Sequence, residues 1–514
     1  MRRISQRIVV WTLGLTVLFG GLLLSMAVAA DQDTVTIALT GEPPTMDPHR
    51  VSNFIGAMVW RWSYDTLITA ETGTGELKPW LAEKWEQLDD KSVKFWLRKD
   101  AKFTDGTPVT AEAMQHSISR VLNSKRQNTY FKSFDRIEII DDHTFIWHNK
   151  VPDNGIFNRL SRLGHAISLK SKELDEAHLS RNTYGSGPYI LKEWTKGNKM
   201  VFEANPDWWG NSLYPTRPKR VVLRRLAEAS TRVKALTQGE IDVAWGVMPQ
   251  HIPQVKKNAK TDIATVPAVR IMFMGFFSSP DGPLADVRVR KAINHAINAD
   301  LIRKTILGGR ADLYGQMFHP WCFSGYNPAK EWYGYDRDKA KALLKEAGYE
   351  NGFKMEIIAT NGRYPGDKAT CEASAGMLKK VGIDATCNSQ RFPLFKKLHR
   401  AYKSGKQEGN AAFYMGFGNG GGESAAVLRG MTSCKGPWSG MCFNELDEAI
   451  EKAAGTAEPK AQQAAFESVT DLMKELVSHK IFFKIHDVMG FSNRLGFYPR
   501  HDETLFPWEI DVKS

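Results

Sequence analysis

The chain has 514 residues, of which 42% are hydrophobic and 25% charged, and its formal net charge is +12. This length far exceeds the roughly 250–300 residues at which a single core stops growing, so we expect more than one core. The hydrophobic and aromatic content excludes a disordered chain. Basic and acidic residues are interleaved along the whole length, which argues against a nucleic-acid-binding arm.

The first thirty residues have the three zones of a secretory signal peptide. Three arginines within the first seven residues precede an apolar run over 8–26, and small residues follow at 27–30. This order predicts export, with removal of residues 1–30 and a periplasmic mature protein. Because the apolar run is almost long enough to span a bilayer, a retained N-terminal anchor is the alternative.

Alternating and helical periodicities follow in chain order. Period-two patterns and turn signals predict strands over 34–40, 93–98, 221–226, 241–245, 354–359, 383–388 and 480–491. Three-to-four-residue spacing and end signals predict helices over 110–122, 231–237, 286–301, 340–347 and 372–381, with two more beginning near 446 and 459. This alternation of strands and helices predicts an α/β fold with mixed sheets.

Five cysteines remain after the export segment, and an oxidising compartment favours disulfides. Cys371 opens a predicted helix and Cys387 lies on the strand that returns beside it, so we pair these two. Cys434 and Cys442 would close a short loop, which leaves Cys322 free. The number of cysteines alone leaves other pairings open.

Ordered motifs over essentially the whole mature chain resemble the family 5 extracellular solute-binding proteins, the peptide, opine and nickel receptors of ABC importers. The resemblance depends on the segments Thr45–Pro48, Leu77–Glu86, Val93–Ala111, Gly185–Tyr189, Asn205–Gly210, Gly239–Asp242, Pro283–Asp300 and Val381–Ile383. Most of these segments are turns and bends that fix backbone geometry, so they identify the fold rather than the cargo.

The resemblance implies two lobes that enclose a ligand by hinge closure. It places lobe I at 31–272 and 484–514, with an inserted subdomain at about 64–184, and lobe II at 273–483. It also implies a monomeric receptor that has no cofactor and catalyses no reaction, and whose partners are a small-molecule or peptide ligand and a membrane permease.

The segment from Met415 to Ser424 departs from the family pattern. Peptide receptors commonly have a Gly-Trp pair here, followed by an Asp that meets the α-ammonium group of the peptide. In this chain Phe417 can replace the aromatic wall, but the acid is replaced by glycine or the neutral Asn419. A buried ammonium without a counter-charge is costly, so the usual mode of binding is disfavoured. Glu423 is either a substitute acid or a solvated loop residue.

Other candidate ligand-binding residues follow strand ends, where cleft residues gather. Arg363 could grip a carboxylate or phosphate with two hydrogen bonds beside Tyr364, although a surface arginine at a glycine-rich turn is the alternative. The remaining candidates are apolar walls, for which core packing is the alternative: Met46, Trp62, Trp245 and Phe417.

These observations predict a periplasmic receptor for an oligopeptide or peptide-like compound. An oligosaccharide, an opine or a nickel chelate is the alternative cargo. An exported enzyme is disfavoured because neither G-x-S-x-G nor H-E-x-x-H occurs. Gly416, Gly418 and Gly421 fit G-x-G-x-x-G, but no acid follows on a second strand, so a dinucleotide site is not expected.

Overall fold

The computed structural model describes residues 33–513 except 52, 72–73, 126, 278, 280, 321–323 and 419–421. The expected export segment, the expected free Cys322 and the candidate Asn419 therefore lie outside the described residues. Within the described part, no helix combines the length and the apolar character that a bilayer crossing requires.

The strands divide between one large mixed sheet and several small sheets. Their bounds are β1 Thr34–Leu39, β2 Ile68–Ala70, β3 Leu77–Pro79, β4 Ala82–Gln87, β5 Ser92–Leu97, β6 Phe134–Asp141, β7 Thr144–Asn149, β8 Tyr189–Thr195, β9 Lys199–Ala204, β10 Arg220–Arg225, β11 Val243–Ala244, β12 Thr261–Phe277, β13 Ala311–Leu313, β14 Lys354–Thr360, β15 Asp384–Gln390, β16 Ala411–Gly418, β17 His479–Ser492, β18 Leu495–Gly496 and β19 Asp511–Val512. The large sheet has the order β15-β14-β16-β12-β17-β11-β1-β10-β9-β8, and β13 pairs with β17.

Helices cover the faces of these sheets. Their bounds are α1 Phe54–Trp60, α2 Ala111–Leu122, α3 Ile156–Leu163, α4 Glu176–Leu179, α5 Ala229–Thr237, α6 Ile252–Lys257, α7 Val287–Ala296, α8 Ala299–Thr305, α9 Arg337–Glu346, α10 Asp367–Lys379, α11 Phe392–Lys403, α12 Ser424–Met431, α13 Asn444–Ala454 and α14 Pro459–Glu475.

The predicted helix over 286–301 is two helices in the structure. Asp286 caps the first, as expected, but the helix ends at Ala296 and the backbone at Ile297 is extended. Asn298 then caps α8 by accepting a hydrogen bond from the backbone of Leu301 at 2.9 Å. Leu301, the last residue of the predicted apolar face, is 47% exposed, and α8 instead buries Ala299 and Ile302. The apolar spacing therefore did not show where the first helix ends.

A first core surrounds β1, which pairs in parallel with β10 and β11. Val35, Ile37 and Leu39 are buried on one face of β1 with several tryptophans, and Ala38 is buried on the other face beneath α5 and α6. β1 alternates Thr34 and Thr36 with Val35 and Ile37, and only its second half, Ile37–Leu39, is apolar and buried at every position. Parallel strands that are covered on both faces favour such apolar runs.

A small sheet in the order β4-β5-β7-β6 has a core of its own. Val93, Phe95 and Leu97 point into it from β5, and α2 covers it, with Thr110 accepting a hydrogen bond at the helix start. We call this part of the chain, together with α3, the small-sheet region. A second core is formed by β14, β15 and β16 with helices α7 to α14.

Two long antiparallel strands, β12 and β17, pass from the first core to the second. Thr261–Pro267 pairs with 486–492 beside β11, and Ile271–Gly275 pairs with 479–484 beside β16. The pairing is irregular between Pro267 and Ile271, where the backbone of Val269 donates instead to His501 at 3.1 Å. We call this interruption the crossover.

Both cysteine pairs that the sequence predicts are disulfide-bonded in the structure. Cys371 on α10 joins Cys387 on the neighbouring β15, with a Cα separation of 5.7 Å. Cys434 joins Cys442 across a short loop, with a Cα separation of 4.4 Å.

Candidate functional site: a cleft between the small-sheet region and the second core

A cavity of about 870 Å³ opens between the small-sheet region and the second core. Residues within 129–133 and 151–159 line one side, and residues within 423–437 and 451–466 line the other. This volume lies within the range of about 300–1,000 Å³ that is usual for small-molecule sites.

Glu423 crosses this cavity to an arginine. Its Oε1 lies 2.9 Å from Nη1 of Arg159, whose guanidinium also binds Asp153. Burial opposes the charged form, but Glu423 and Asp153 together raise the pKa of Arg159. The Glu423 side chain is only 18% exposed, so it is not a solvated loop acid, and its carboxylate is already engaged by a cation.

The loop before α3 makes a second contact across the cavity. Nδ2 of Asn154 donates to the carbonyl of Ala457 at 3.1 Å and points to that of Thr456 at 3.4 Å. A Cβ at Gly155 would lie 3.0 Å from Cδ of Glu423. Glycine therefore permits the close approach of this loop to the second core.

Arg363 and Tyr364 lie on the loop that follows β14. Asp367 organises the loop by accepting hydrogen bonds from the backbone amides of Gly362, Arg363 and Tyr364, at 3.0, 3.0 and 3.2 Å. Because β14 and β16 are parallel neighbours, their carboxyl ends meet. Tyr364 Oη consequently donates to the carbonyl of Gly416 at 2.8 Å.

Arg363 is exposed, but its guanidinium has protein partners. It stacks 3.7 Å above the centre of the Phe392 ring, and its Nε donates to Tyr364 Oη at 3.0 Å. Phe417, next to Gly416 on β16, is partly buried against the second core. The structure thus brings the predicted residues Arg363, Tyr364 and Phe417 to one edge of the sheet.

The other predicted residues lie in the first core or at its margin. Met46 and Trp62 are completely buried there, and Trp62 Nε1 donates to the carbonyl of Leu505 at 2.9 Å. These contacts fit the core-packing alternative. Trp245 is partly exposed, and its ring stacks with Phe54 at a centroid distance of 6.0 Å.

A buried ion pair occupies the crossover. Arg270 Nε donates to Glu503 Oε1 at 2.9 Å, and Nη2 also binds that carboxylate. The guanidinium of Arg270 lies 5.4 Å from the centre of the Tyr364 ring, which links the crossover to the β14 loop. Burial opposes the charge, but Glu503 raises the pKa of Arg270.

Asp487 lies close to this pair on β17. Burial, reinforced by the charge of Glu503, raises the pKa of Asp487 to about 8, although Arg270 acts in the opposite direction. Its Oδ2 is buried and has no hydrogen-bond partner among the described residues.

No sequence pattern singled out Arg159, Arg270, Asp487 or Glu503. One of them left a signal, because Arg270 is the single charged residue in the apolar run Val266–Phe277 of β12. Charged residues almost never lie in such positions unless they are paired or functional. Among the described residues, no group of three or more potential ligands is arranged to hold a metal ion.

The sheets, the crossover and the enclosed cleft define a two-lobe solute-binding protein. Residues 76–438 match the family described as "Bacterial extracellular solute-binding proteins, family 5 Middle". The chain belongs to this family of ABC-importer solute-binding proteins, as the sequence motifs predicted.

Curated relatives support the assignment. The chain is 30% identical over 327 residues to the probable D,D-dipeptide-binding periplasmic protein DdpA of Escherichia coli, a match that covers 61% of this chain and 62% of that protein, less than two thirds of its length. It is 27% identical over 465 residues to the dipeptide-binding protein of the same organism, covering 82% of this chain and 84% of that one.

Solved structures share the fold. CtaP of Listeria monocytogenes aligns with a TM-score of 0.82 at 19% identity, covering 94% of this chain and 99% of that one. The DppA protein of Helicobacter pylori in complex with the peptide STSA aligns with a TM-score of 0.77 at 23% identity, covering 94% and 98%. At these identities the likeness shows the fold alone.

Proposed function

We propose that this protein is a periplasmic receptor that delivers an oligopeptide or peptide-like solute to the permease of an ABC importer. Its curated relatives are named as dipeptide-, D,D-dipeptide- and glutathione-binding proteins. The observation that carries the proposal is the cavity of about 870 Å³, which two separately packed regions of the chain enclose.

The proposed lobes are 31–272 with 484–514, and 273–483, with the inserted subdomain at about 64–184. The irregular pairing of β12 and β17 between Pro267 and Ile271 supports a hinge there. Hinges are a few residues that absorb backbone rotation, and an interrupted strand ladder leaves them fewer hydrogen bonds to break.

Cargo binding would act by differential affinity. A ligand that contacts both sides of the cleft stabilises the closed form. A permease that recognises this form accepts cargo only from loaded receptors. Opening of the cleft would break the contacts of Arg159 with Glu423 and of Asn154 with Ala457. They would add to the contribution of the ligand.

The sequence of residues 1–30 and family membership support the proposal that the protein is exported. The charged, apolar and small-residue zones support a cleaved signal peptide. Two disulfides also suit an oxidising compartment. Cell fractionation with N-terminal sequencing of the mature protein would test both proposals, and a cytoplasmic location would contradict them.

Thermal unfolding with a ligand panel tests the receptor role. The panel contains L- and D,D-dipeptides, longer peptides, glutathione, opines, oligosaccharides and nickel–histidine chelates. A free ligand at 100 times its dissociation constant should stabilise the folded form by about 2.7 kcal/mol. Stabilisation by peptides supports the proposal. If only another class of compound stabilises the protein, that class is the cargo and the proposed peptide cargo is wrong. Chemical turnover of a panel member would instead support an enzyme.

A further inference from the structure

The segment around α11 carries charges of one sign. Residues 391–407 contain six lysines and arginines and no acid. Arg391 precedes the helix without a side-chain cap, and the first turn has none of the acids that stabilise a helix N-terminus. Helix stability therefore does not account for the position of Arg391.

One face of α11 packs on the second core, and the opposite face is exposed. Phe395 and His399 are completely buried, and Tyr402 stacks on Phe277 with 5.3 Å between the ring centres. Residues three or four positions apart on a helix share a face. The exposed residues of the opposite face are Pro393, Leu394, Lys397 and Arg400. We call these four residues, together with the exposed Arg391, the basic face.

The acids of the described chain do not balance the cations of the basic face. Among the described residues, no carboxylate lies within ion-pair distance of Arg391, Lys397 or Arg400. Glu356 on the neighbouring β14 accepts instead a hydrogen bond from Tyr402 Oη at 2.8 Å. The basic face therefore presents three exposed positive charges to an anionic partner.

Leu394 adds an apolar side chain to these charges. It is 43% exposed and lies one helical turn before Lys397. In a helix that lies in the plane of a bilayer, apolar side chains enter the boundary of the headgroups while the flanking cations meet anionic lipids. The combination of Leu394 with the cations thus favours a bilayer over a purely acidic surface.

We propose that the basic face binds the anionic phospholipid surface of a membrane. No residue of α11 lines the cavity of the cleft, so this contact does not occupy the proposed cargo site. Binding would be weak and reversible, because it depends on three cations and one leucine rather than on a spanning helix. It would concentrate the exported receptor beside the membrane that holds the permease. The inference goes beyond the proposed receptor function and does not depend on the cargo.

Co-sedimentation with vesicles tests the inference. The protein is purified without residues 1–30, so that the expected export segment contributes no membrane binding. Vesicles of equal parts phosphatidylglycerol and phosphatidylcholine supply the anionic surface, and phosphatidylcholine vesicles are the neutral control. At low salt the protein should bind the anionic vesicles at least about tenfold more tightly, and high salt should remove this difference by screening. Equal binding to both kinds of vesicle, or none to the anionic vesicles, would overturn the inference.

Variants assign the binding to the basic face. Loss of each cation should weaken binding to anionic vesicles about fivefold, so Lys397→Gln combined with Arg400→Gln should weaken it about 25-fold. The matched control is Lys339→Gln combined with Lys341→Gln, which removes two exposed cations from α9. This control should bind as the wild type does. If both double variants lose the same affinity, binding reflects net charge alone and the inference is wrong.

Leu394→Ala distinguishes a bilayer from an acidic protein partner. The variant should bind anionic vesicles severalfold more weakly, because less apolar surface enters the headgroup boundary. Soluble poly-glutamate should bind the wild type more weakly than the vesicles do. If Leu394→Ala binds the vesicles as the wild type does and poly-glutamate binds equally well, the basic face recognises an acidic protein and the inference is wrong. Thermal unfolding of every variant should match that of the wild type, because the replaced side chains are exposed.

Discussion

Arg159 and Glu423 meet at 2.9 Å across the cleft although they belong to separately packed regions of the chain. Their side chains are only 9% and 18% exposed, so water and salt screen the pair weakly. Asp153, which lies on the same side of the cleft as Arg159, binds the same guanidinium. Separation of the two regions would break this pair and leave the core of each region intact.

Replacement of Glu423 by Gln should favour the open form. The variant keeps the shape of the side chain but removes the charge, and Asp153 still balances Arg159, so the lobes should remain folded. We expect a larger radius of gyration without ligand and a roughly tenfold weaker affinity for cargo, which corresponds to about 1.4 kcal/mol. Small-angle scattering and calorimetry measure the two effects.

Glu112→Gln is the matched control. Glu112 on α2 pairs with Lys172 at 3.1 Å, neither residue lines the cavity, and their side chains are 59% and 50% exposed. An exposed pair on one side of the cleft should contribute little. If Glu423→Gln has the same scattering and affinity as Glu112→Gln and the wild type, the contact across the cleft does not stabilise closure.

The two disulfides should differ in their contribution to stability. Cys371 and Cys387 are 16 residues apart, whereas Cys434 and Cys442 are 8 apart. Loop-closure entropy predicts losses of about 3 and about 2.5 kcal/mol when the paired cysteines are replaced by serine. Replacement of the completely buried Cys371 also leaves a polar hydroxyl in the second core. Denaturant unfolding of the two double variants should rank them in this order, and the reverse order would contradict it.

The elements that sequence analysis predicted are those with local causes. Thr110 caps α2 because its hydroxyl reaches the amide of Ala113, and Gly348 follows α9 in the left-handed conformation that favours glycine. The alternation of apolar and polar residues predicted both the position of β5 and the face of the strand that is buried. Such signals depend on residues a few positions apart, so the sequence displays them directly.

The cleft depends on contacts between distant residues, which periodicity does not contain. Nothing near Glu423 in the sequence indicates Arg159, because only the approach of α3 to the second core joins them. Met46 and Trp62 were candidates because they follow or flank the ends of strands or helices. Both cleft residues and core residues occur at such ends, so sequence position could not distinguish a ligand contact from the complete burial that the structure shows. The single charge in the apolar run Val266–Phe277, that of Arg270, was the unused signal.

Tyr364→Phe should weaken the edge of the second core. The substitution removes the hydroxyl that donates to Gly416 at 2.8 Å and accepts from Arg363 at 3.0 Å, but it keeps the ring beside Arg270. We expect a loss of about 1–2 kcal/mol in the free energy of unfolding, with an unchanged m-value in urea. The exposed Tyr335 supplies the control Tyr335→Phe, which should not change stability.

Asp487→Asn should stabilise the protein at neutral pH. The folded-state pKa of about 8 lies above the ordinary value of about 3.9, because burial and then Glu503 disfavour the charge. The wild type should therefore be most stable, with respect to this group, below about pH 4. It should lose stability as the pH rises towards 8 and level off above it. Asparagine cannot ionise, so the stability difference between variant and wild type should grow across this window to roughly 2–4 kcal/mol. Denaturant unfolding of both proteins at pH 4, 6 and 8 measures it, and a difference that is constant with pH would show that Asp487 does not titrate there.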